Sequence, residues 1–433
     1  MGTLGEQTRR LMAERGVSLR ALARETSYDV GYLSRALNGR QTPSRGLVEA
    51  IDRALGADGA LIALASESGP GDVALASDRW TQRDAGDLAD MLTARAAYVD
   101  EHNAARLAHE WLITDPPQLV EVRAGRRIGE QLVAKVEARV VEVRRLDDYV
   151  GGGDLAAVVD RELTATAGLL VEAAYAEPHG RRLLVAVGEL AQLAGWVHSD
   201  AGAHGTATRY YLGGVKAAHA AGDQALAANL LSSLSYQVAN TGRPRDAVLL
   251  ARSAACGARA VATPRTRALL ADRAAWAHTK AGQQREAERA LGDADDALAD
   301  VRPGDPDPDW VYWVDRDELD VMAGRVYTEL RRSLRAEPLL RSVLARYDQA
   351  RARESALYLT WLADTYIHAG EIEQAAATAG RALQLAAQVN SARASARVDQ
   401  VRRNLAPWRD TPAVQDLTEH AASAARTNLD DAR

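Results

Sequence analysis

The chain holds a single cysteine, Cys256, in 433 residues, so no disulfide can form within it. That thiol is expected to be buried. Lysine is nearly missing: Lys135, Lys216 and Lys280 are the only three among 53 basic residues. This is the arginine usage of a GC-rich coding sequence and carries no functional reading. No apolar run approaches the roughly 20 residues of a membrane span. The chain also opens without a basic-then-apolar signal segment, so a cytoplasmic protein with no membrane partner is expected. The marks of common enzyme classes are missing too: no P-loop, no dinucleotide-binding glycine fingerprint, no His-Glu-x-x-His zinc motif. Neither catalysis nor a cofactor nor a metal is expected. Asp305, Asp307 and Asp309 alternate in a proline-rich stretch, but lack the glycine and terminal glutamate of a calcium loop and read as a solvated acidic loop.

What is present is ordinary globular chemistry, 47% hydrophobic and 26% charged, enough for two or three domains. The charge is unevenly divided. Residues 1–65 carry a net +2, whereas the remainder carries −8. A polyanion would be repelled by the body, so contact with double-stranded DNA is expected at the amino end alone. So weak a basic head binds feebly as one copy, which favours a homodimer on a near-palindromic operator.

The most informative stretch runs from Ser18 to Gly39. Ser18 offers an N-cap oxygen, and Leu19, Leu22 and Ala23 recur at helical spacing until Thr26-Ser27 interrupts them. Asp29 is placed to cap a following helix with an inward face of Val30, Leu33 and Leu37, and Asn38-Gly39 gives the stop signal. Leu11 and Val17 before, and Leu47, Ile51, Leu55 and Leu61 after, supply the apolar faces of three more short helices. On the signature Leu19-x-x-Leu22-Ala23 followed by Tyr32-Leu33-Ser34-Arg35-x-Leu37-Asn38-Gly39, residues 4 to about 65 resemble the Cro/repressor class of helix-turn-helix domains, the xenobiotic-response-element type. The resemblance implies that the third of five helices lies in the major groove. Carried over by position, base contacts fall to Val30, Gly31, Ser34 and Arg35, with the Arg35 guanidinium suited to the two acceptors of guanine. Phosphate contacts fall to Arg20, Tyr32, Asn38, Arg40 and Arg45.

Further on, the sequence repeats itself. Gly202, Gly242 and Gly282 are spaced by 40 residues; each is followed by an alanine five positions on (Ala207, Ala247, Ala287) and preceded by an aromatic six positions back (Trp196, Tyr236, Trp276). Gly370 and Ala375 keep the pattern. A small residue stands before each aromatic, at Gly195, Ser235 and Ala275, with Ala363 in the later copy, where a facing helix would cross. A degenerate copy spans Trp310 to Tyr347 with Ala336 in the alanine slot. The unit is a helix, a tight turn at glycine, and a second helix, and it resembles the tetratricopeptide repeat with a longer period. The expected fold is therefore all-α, a five-helix helix-turn-helix domain followed by an α-solenoid. The expected domains are 1–68 for the DNA-binding head, 69–180 for a helical linker and packing region, 181–408 for the repeats, and 409–433 for a capping helix or tail. Within the packing region, Leu132, Val136, Val140, Val143 and Leu146 share a helical face, and Gly69-Pro70-Gly71 reads as a hinge.

Stacked helix pairs present a concave face lined by their first helices. Gln192, Trp196, Asn229, Ser232, Tyr236, Asn240, Asp272, Trp276 and Lys280 are the candidate groove residues, since aromatic faces and amides that both donate and accept suit an extended peptide. His198 and His278 recur in a slot read as packing. The combined layout resembles the peptide-sensing Rgg and PlcR regulators and actinobacterial regulators of the same plan. It implies a homodimer whose solenoids take a short signalling peptide or another small-molecule ligand and respace the two heads. The competing reading is an adaptor whose solenoid holds a partner protein at a promoter.

Overall fold

The computed structural model describes residues 4–26, 28, 30–37, 45–57, 59–61, 75, 79–93, 102–119, 125–146, 152–347, 352–388 and 392–431. The described chain is all-α apart from two parallel pairings of two residues each, Arg79–Trp80 with Gln118–Leu119 and Arg126–Arg127 with Ala173–Ala174. Four head helices, α1 (Leu4–Glu14), α2 (Leu19–Thr26), α3 (Val30–Leu37) and α4 (Arg45–Ala54), close on Leu22, Ala23, Leu33, Leu37, Leu47, Ile51, Leu55 and Leu61. Helical backbone resumes at Ala60-Leu61, and the remainder of the fifth segment lies outside the described residues. So do Asp29, Asn38, Gly39 and the Gly69-Pro70-Gly71 hinge.

Behind the head, the helices Gln82–Thr93, Glu130–Leu146 and Gly152–Glu172 share one core with the helix Glu177–Asp200. The inward face of Glu130–Leu146 is Val133, Val140 and Val143 with Val136 packed beside them, so the middle of the expected stripe faces the core, whereas its ends Leu132 and Leu146 turn outward and Val133 takes the place of Leu132.

The solenoid comprises five helix pairs: Glu177–Asp200 with His204–Ala221, Gln224–Asn240 with Pro244–Gly257, Pro264–Lys280 with Gln284–Ala299, Arg316–Glu329 with Ser333–Arg346, and Ala352–Ala369 with Ile372–Gln388. Ala392–Leu405 and Pro412–Asp431 cover the end. The long helices, up to 24 residues, absorb the extra length of the repeat. First helices of successive pairs touch laterally while second helices sit wider apart, so the first-helix layer is the inner, concave one. The small residues perform as expected. A side-chain carbon on Gly195 would meet the Tyr211 ring at 2.5 Å, and Ser235 donates its hydroxyl to the Ala247 carbonyl.

The turns explain the degenerate copy. Gly202, Gly242, Gly282 and Gly370 all have positive φ, between 71° and 94°. In the fourth pair that slot is held by Arg331, the positive-φ residue without glycine's freedom, at 55°. Ala336 follows five positions on and is fully buried, as the alanine slot requires. The left-handed conformation costs an L-residue roughly 1–2 kcal/mol, partly offset by the greater unfolded-state freedom of glycine. Arg331→Gly is therefore expected to raise stability by about 0.5–1 kcal/mol in urea denaturation; a lower midpoint at unchanged slope would contradict it.

Candidate nucleic-acid interface and solenoid groove

The geometry of the head follows from its caps. Ser18 Oγ accepts from the Ala21 amide at 3.2 Å and starts α2, as its N-cap position demands. The third helix is pinned from behind: Arg9 donates to the Leu37 carbonyl at 2.9 Å, and Gly5 lies so close to that carbonyl that no larger residue would fit without a shift. Asp52, buried in α4, accepts from the amides of Gly59 at 2.8 Å and Leu61 at 2.9 Å, tying the fifth segment down. The apolar side of α3, Leu33 and Leu37, is thereby locked to the core, and its other side is left facing away.

On that side Val30 is 37% exposed and Ser34 half-buried. Gly31, Tyr32 and Arg35 fall within the span of the same helix, and their side chains lie outside the described ones. The expected inward role of Val30 is not realised; it stands at the rim of the first turn. Among the phosphate candidates, Arg20 is exposed on α2 and Arg45 opens α4. Asn38 and Arg40 lie outside the described residues.

The aromatic candidates of the solenoid form a column along the inner layer. Ring centroids of Trp196 and Tyr236 are 5.8 Å apart, Tyr236 and Trp276 6.0 Å, and Trp276 and Trp361 5.7 Å. Two arginines thread it. Arg325 lies 4.7 Å from the Trp276 ring and 5.1 Å from Trp361, and donates to the Tyr236 hydroxyl at 2.5 Å. Arg273 lies 4.8 Å from Tyr236 and 5.7 Å from Trp196. Both guanidiniums are buried, and the aromatic faces supply the cation–π attraction that replaces part of their lost hydration.

Several groove candidates are engaged within the column. Trp276 Nε1 donates to Asn240 Oδ1 at 3.1 Å, Gln192 donates to Ser233 Oγ at 3.2 Å, and the buried Ser232 donates to the Asn229 carbonyl of its own helix at 2.8 Å. Lys280 pairs with Glu329 at 3.4 Å and sits over Trp276 at 5.5 Å. It also lines a polar cavity of about 350 Å³ with Trp361, Asp364 and Arg397 at the carboxyl end of the inner layer.

Sequence reasoning missed Arg273, Arg325 and Trp361. The signal for Arg325 was available, because it stands six residues before Arg331 with the small Gly324 ahead of it, the same register that marks Trp196, Tyr236 and Trp276. With no glycine at the turn, that register was hidden.

Buried acids accompany these cations. Burial pushes the Asp272 carboxyl up to about 6, against the opposing pull of Arg273, and burial likewise raises Glu318. A carboxyl whose folded pKa is raised stabilises the fold while protonated and loses that contribution as pH rises through the folded value. The stability of Asp272→Asn is therefore expected to improve relative to the parent between about pH 4 and about pH 6 and to run parallel above it. Thermal unfolding across that window checks this, and a pH-independent offset would contradict it.

Two other expectations are corrected. Cys256 is exposed, because it falls on the outer side of the helix Pro244–Gly257 while Ala247, Leu250, Ala251 and Ala254 take the inner side. The acidic loop is solvated only in its first part: Asp307 pairs with Arg265 at 2.8 Å, and Asp309 with Arg144 at 2.5 Å and Arg145 at 2.7 Å. His198, expected to pack, lies 5.3 Å from the Tyr210 ring and also makes a polar contact from Nε2 to Asp160 at 3.0 Å.

Comparison with known proteins agrees with the geometry of the head. Residues 3–65 match the family model described as a helix-turn-helix domain. The protein thus carries a helix-turn-helix domain of the DNA-binding kind, which places it with DNA-binding transcription regulators. No curated protein matches the chain. Among the described residues no helix is long and apolar enough to cross a membrane.

Proposed function

We propose that the protein is a transcriptional regulator that binds operator DNA as a homodimer through α3 and adjusts that binding when its solenoid takes up a short peptide or another small signal. The observation that carries the reading is the match of residues 3–65 together with a third helix locked by Leu33, Leu37 and the Arg9 clamp, its outer side turned away from the core. Arg35 reads one guanine in each half-site, and Ser34 a neighbouring base. Arg20, Tyr32, Asn38, Arg40 and Arg45 hold the phosphates. The inner layer of five first helices, with its aromatic column and the polar cavity beside Lys280, supports the sensor role. A ligand shifts the heads only through unequal affinity for two arrangements of the dimer.

The test is selection of duplexes from a random pool by the full-length protein, followed by Arg35→Ala on the selected site. Loss of about 1–3 kcal/mol at one base of each half-site is expected, with random-sequence binding nearly unchanged. Equal loss on operator and random DNA would refute the base-reading role. Purification from the native host tests the sensor: a retained small ligand supports it, and a stoichiometric protein partner instead supports the adaptor.

A further inference from the structure

The insert from Arg302 to Asp315, between the third and fourth helix pairs, lies over the concave layer. Trp313 sits against Arg273, with the guanidinium 5.6 Å from its ring, and the Val314 carbonyl accepts from Arg265 at 2.5 Å. Asp309 reaches Arg144, which also bonds Glu189 of the first pair at 2.6 Å. The insert therefore spans the inner face from the third pair toward the first. Trp310, Val311 and Val314 are buried in the core shared with Tyr236 and Trp276, and the Arg145 guanidinium lies 3.4 Å from the Tyr312 ring centroid.

The segment has the form of a bound peptide. Pro303, Pro306 and Pro308 exclude a helix before Asp309 and favour extended backbone there, and one 3-10 turn over Asp309–Val311 follows. Its side chains are acidic and aromatic, and its seat is built from Arg144, Arg145, Arg265 and Arg273 around apolar walls. The fit is imperfect: Arg144 Nε and Asp307 Oδ1 are buried without a hydrogen-bond partner. A buried ion pair with unsatisfied atoms adds little net stability, because desolvation offsets the attraction. The polar anchors therefore add little to the hold of Trp310, Val311 and Val314, and a competitor that refills both the apolar and the acidic positions can exchange with the insert.

We propose that this seat is a binding site for an acidic, tryptophan-containing peptide, and that the insert Arg302–Asp315 is its intramolecular occupant. The proposal rests on the reading of the solenoid as a sensor and gives that sensor its ligand chemistry. An arriving peptide places carboxylates on Arg144, Arg145 and Arg265 and an indole against Arg273, and the insert leaves.

The test uses the full-length protein and an end-blocked synthetic peptide copying Asp305 to Val314. Amide hydrogen exchange across residues 309–315 is expected to rise at least about tenfold at saturating peptide. A peptide with asparagine at all three aspartates is expected to bind at least about tenfold more weakly. Asp309→Asn in the protein frees the insert and is expected to tighten the apparent Kd about tenfold, since affinity scales with the fraction of competent molecules. Unchanged exchange in the insert at millimolar peptide, or equal binding of the asparagine peptide, would overturn the proposal. Operator affinity is measured in parallel: peptide exchange without any change on DNA leaves the site standing and removes the sensor reading, whereas loss of DNA binding by the parent protein leaves the peptide arm untouched.

Discussion

Leu33→Ala is expected to unfold the amino-terminal module and abolish operator binding while leaving the solenoid intact. Leu33 is fully buried at the centre of the head core, between Leu22, Leu37 and Ile51. Removing such a side chain costs about 2–5 kcal/mol through lost transfer energy and the cavity left behind. A domain of this size has only about 3–9 kcal/mol in total, at roughly 0.05–0.15 kcal/mol per residue. The chain offers a clean readout, because all eight tryptophans lie beyond residue 79. Tryptophan fluorescence should report an unchanged unfolding midpoint for the body, while proteolysis releases the head and duplex binding disappears. Retained operator affinity would mean that the head does not depend on this core.

The second large effect belongs to the body. Arg325→Met is expected to destabilise the solenoid by about 3–5 kcal/mol, the usual consequence of removing one partner from a buried charged cluster. Arg325 supplies a donor to the Tyr236 hydroxyl, stacks between Trp276 and Trp361, and offsets the buried acids Asp272 and Glu318. Its loss removes the largest charge opposing the burial of Glu318 and leaves Arg273 as the remaining cation beside both acids. The double variant Arg325→Met with Glu318→Gln should recover a large part of the loss, since an isosteric neutral group no longer needs a counter-charge. Tryptophan-detected urea denaturation measures both, and a single-variant loss under about 1 kcal/mol would show that the column is not held by its cation.

The head was legible in detail because its rules are local. Ser18 caps the helix it precedes, Leu22 and Leu33 meet in the core, and the paired helices follow from spacing alone. The solenoid was legible as a period because glycine in a left-handed turn and alanine at a close helix crossing are both enforced by sterics. Arg331 shows the limit of that signal: the turn geometry persists where the residue that announces it is gone. The destinations of Asp307 and Asp309 were not legible, since their arginine partners Arg265, Arg144 and Arg145 are 42 to 165 residues away and only the folded superhelix brings them together. For the same reason the repeat marks Trp196, Tyr236 and Trp276 as equivalent positions, but the hydrogen bond from Trp276 to Asn240 could not be read from spacing. Cys256 went wrong for a simpler reason. An alanine-rich helix looks apolar on every side, so its inward face is poorly marked.

The central claim, that α3 rather than the body meets DNA, is tested most directly by site-specific photo-crosslinking with a thiol-attached probe. The native Cys256, exposed on the solenoid, carries the probe in the parent protein, and Ser34→Cys carries it in a Cys256→Ser background. Crosslinks to duplex DNA from position 34 and none from position 256 are expected. Crosslinking from position 256 with none from position 34 would contradict the assignment of the DNA-binding face.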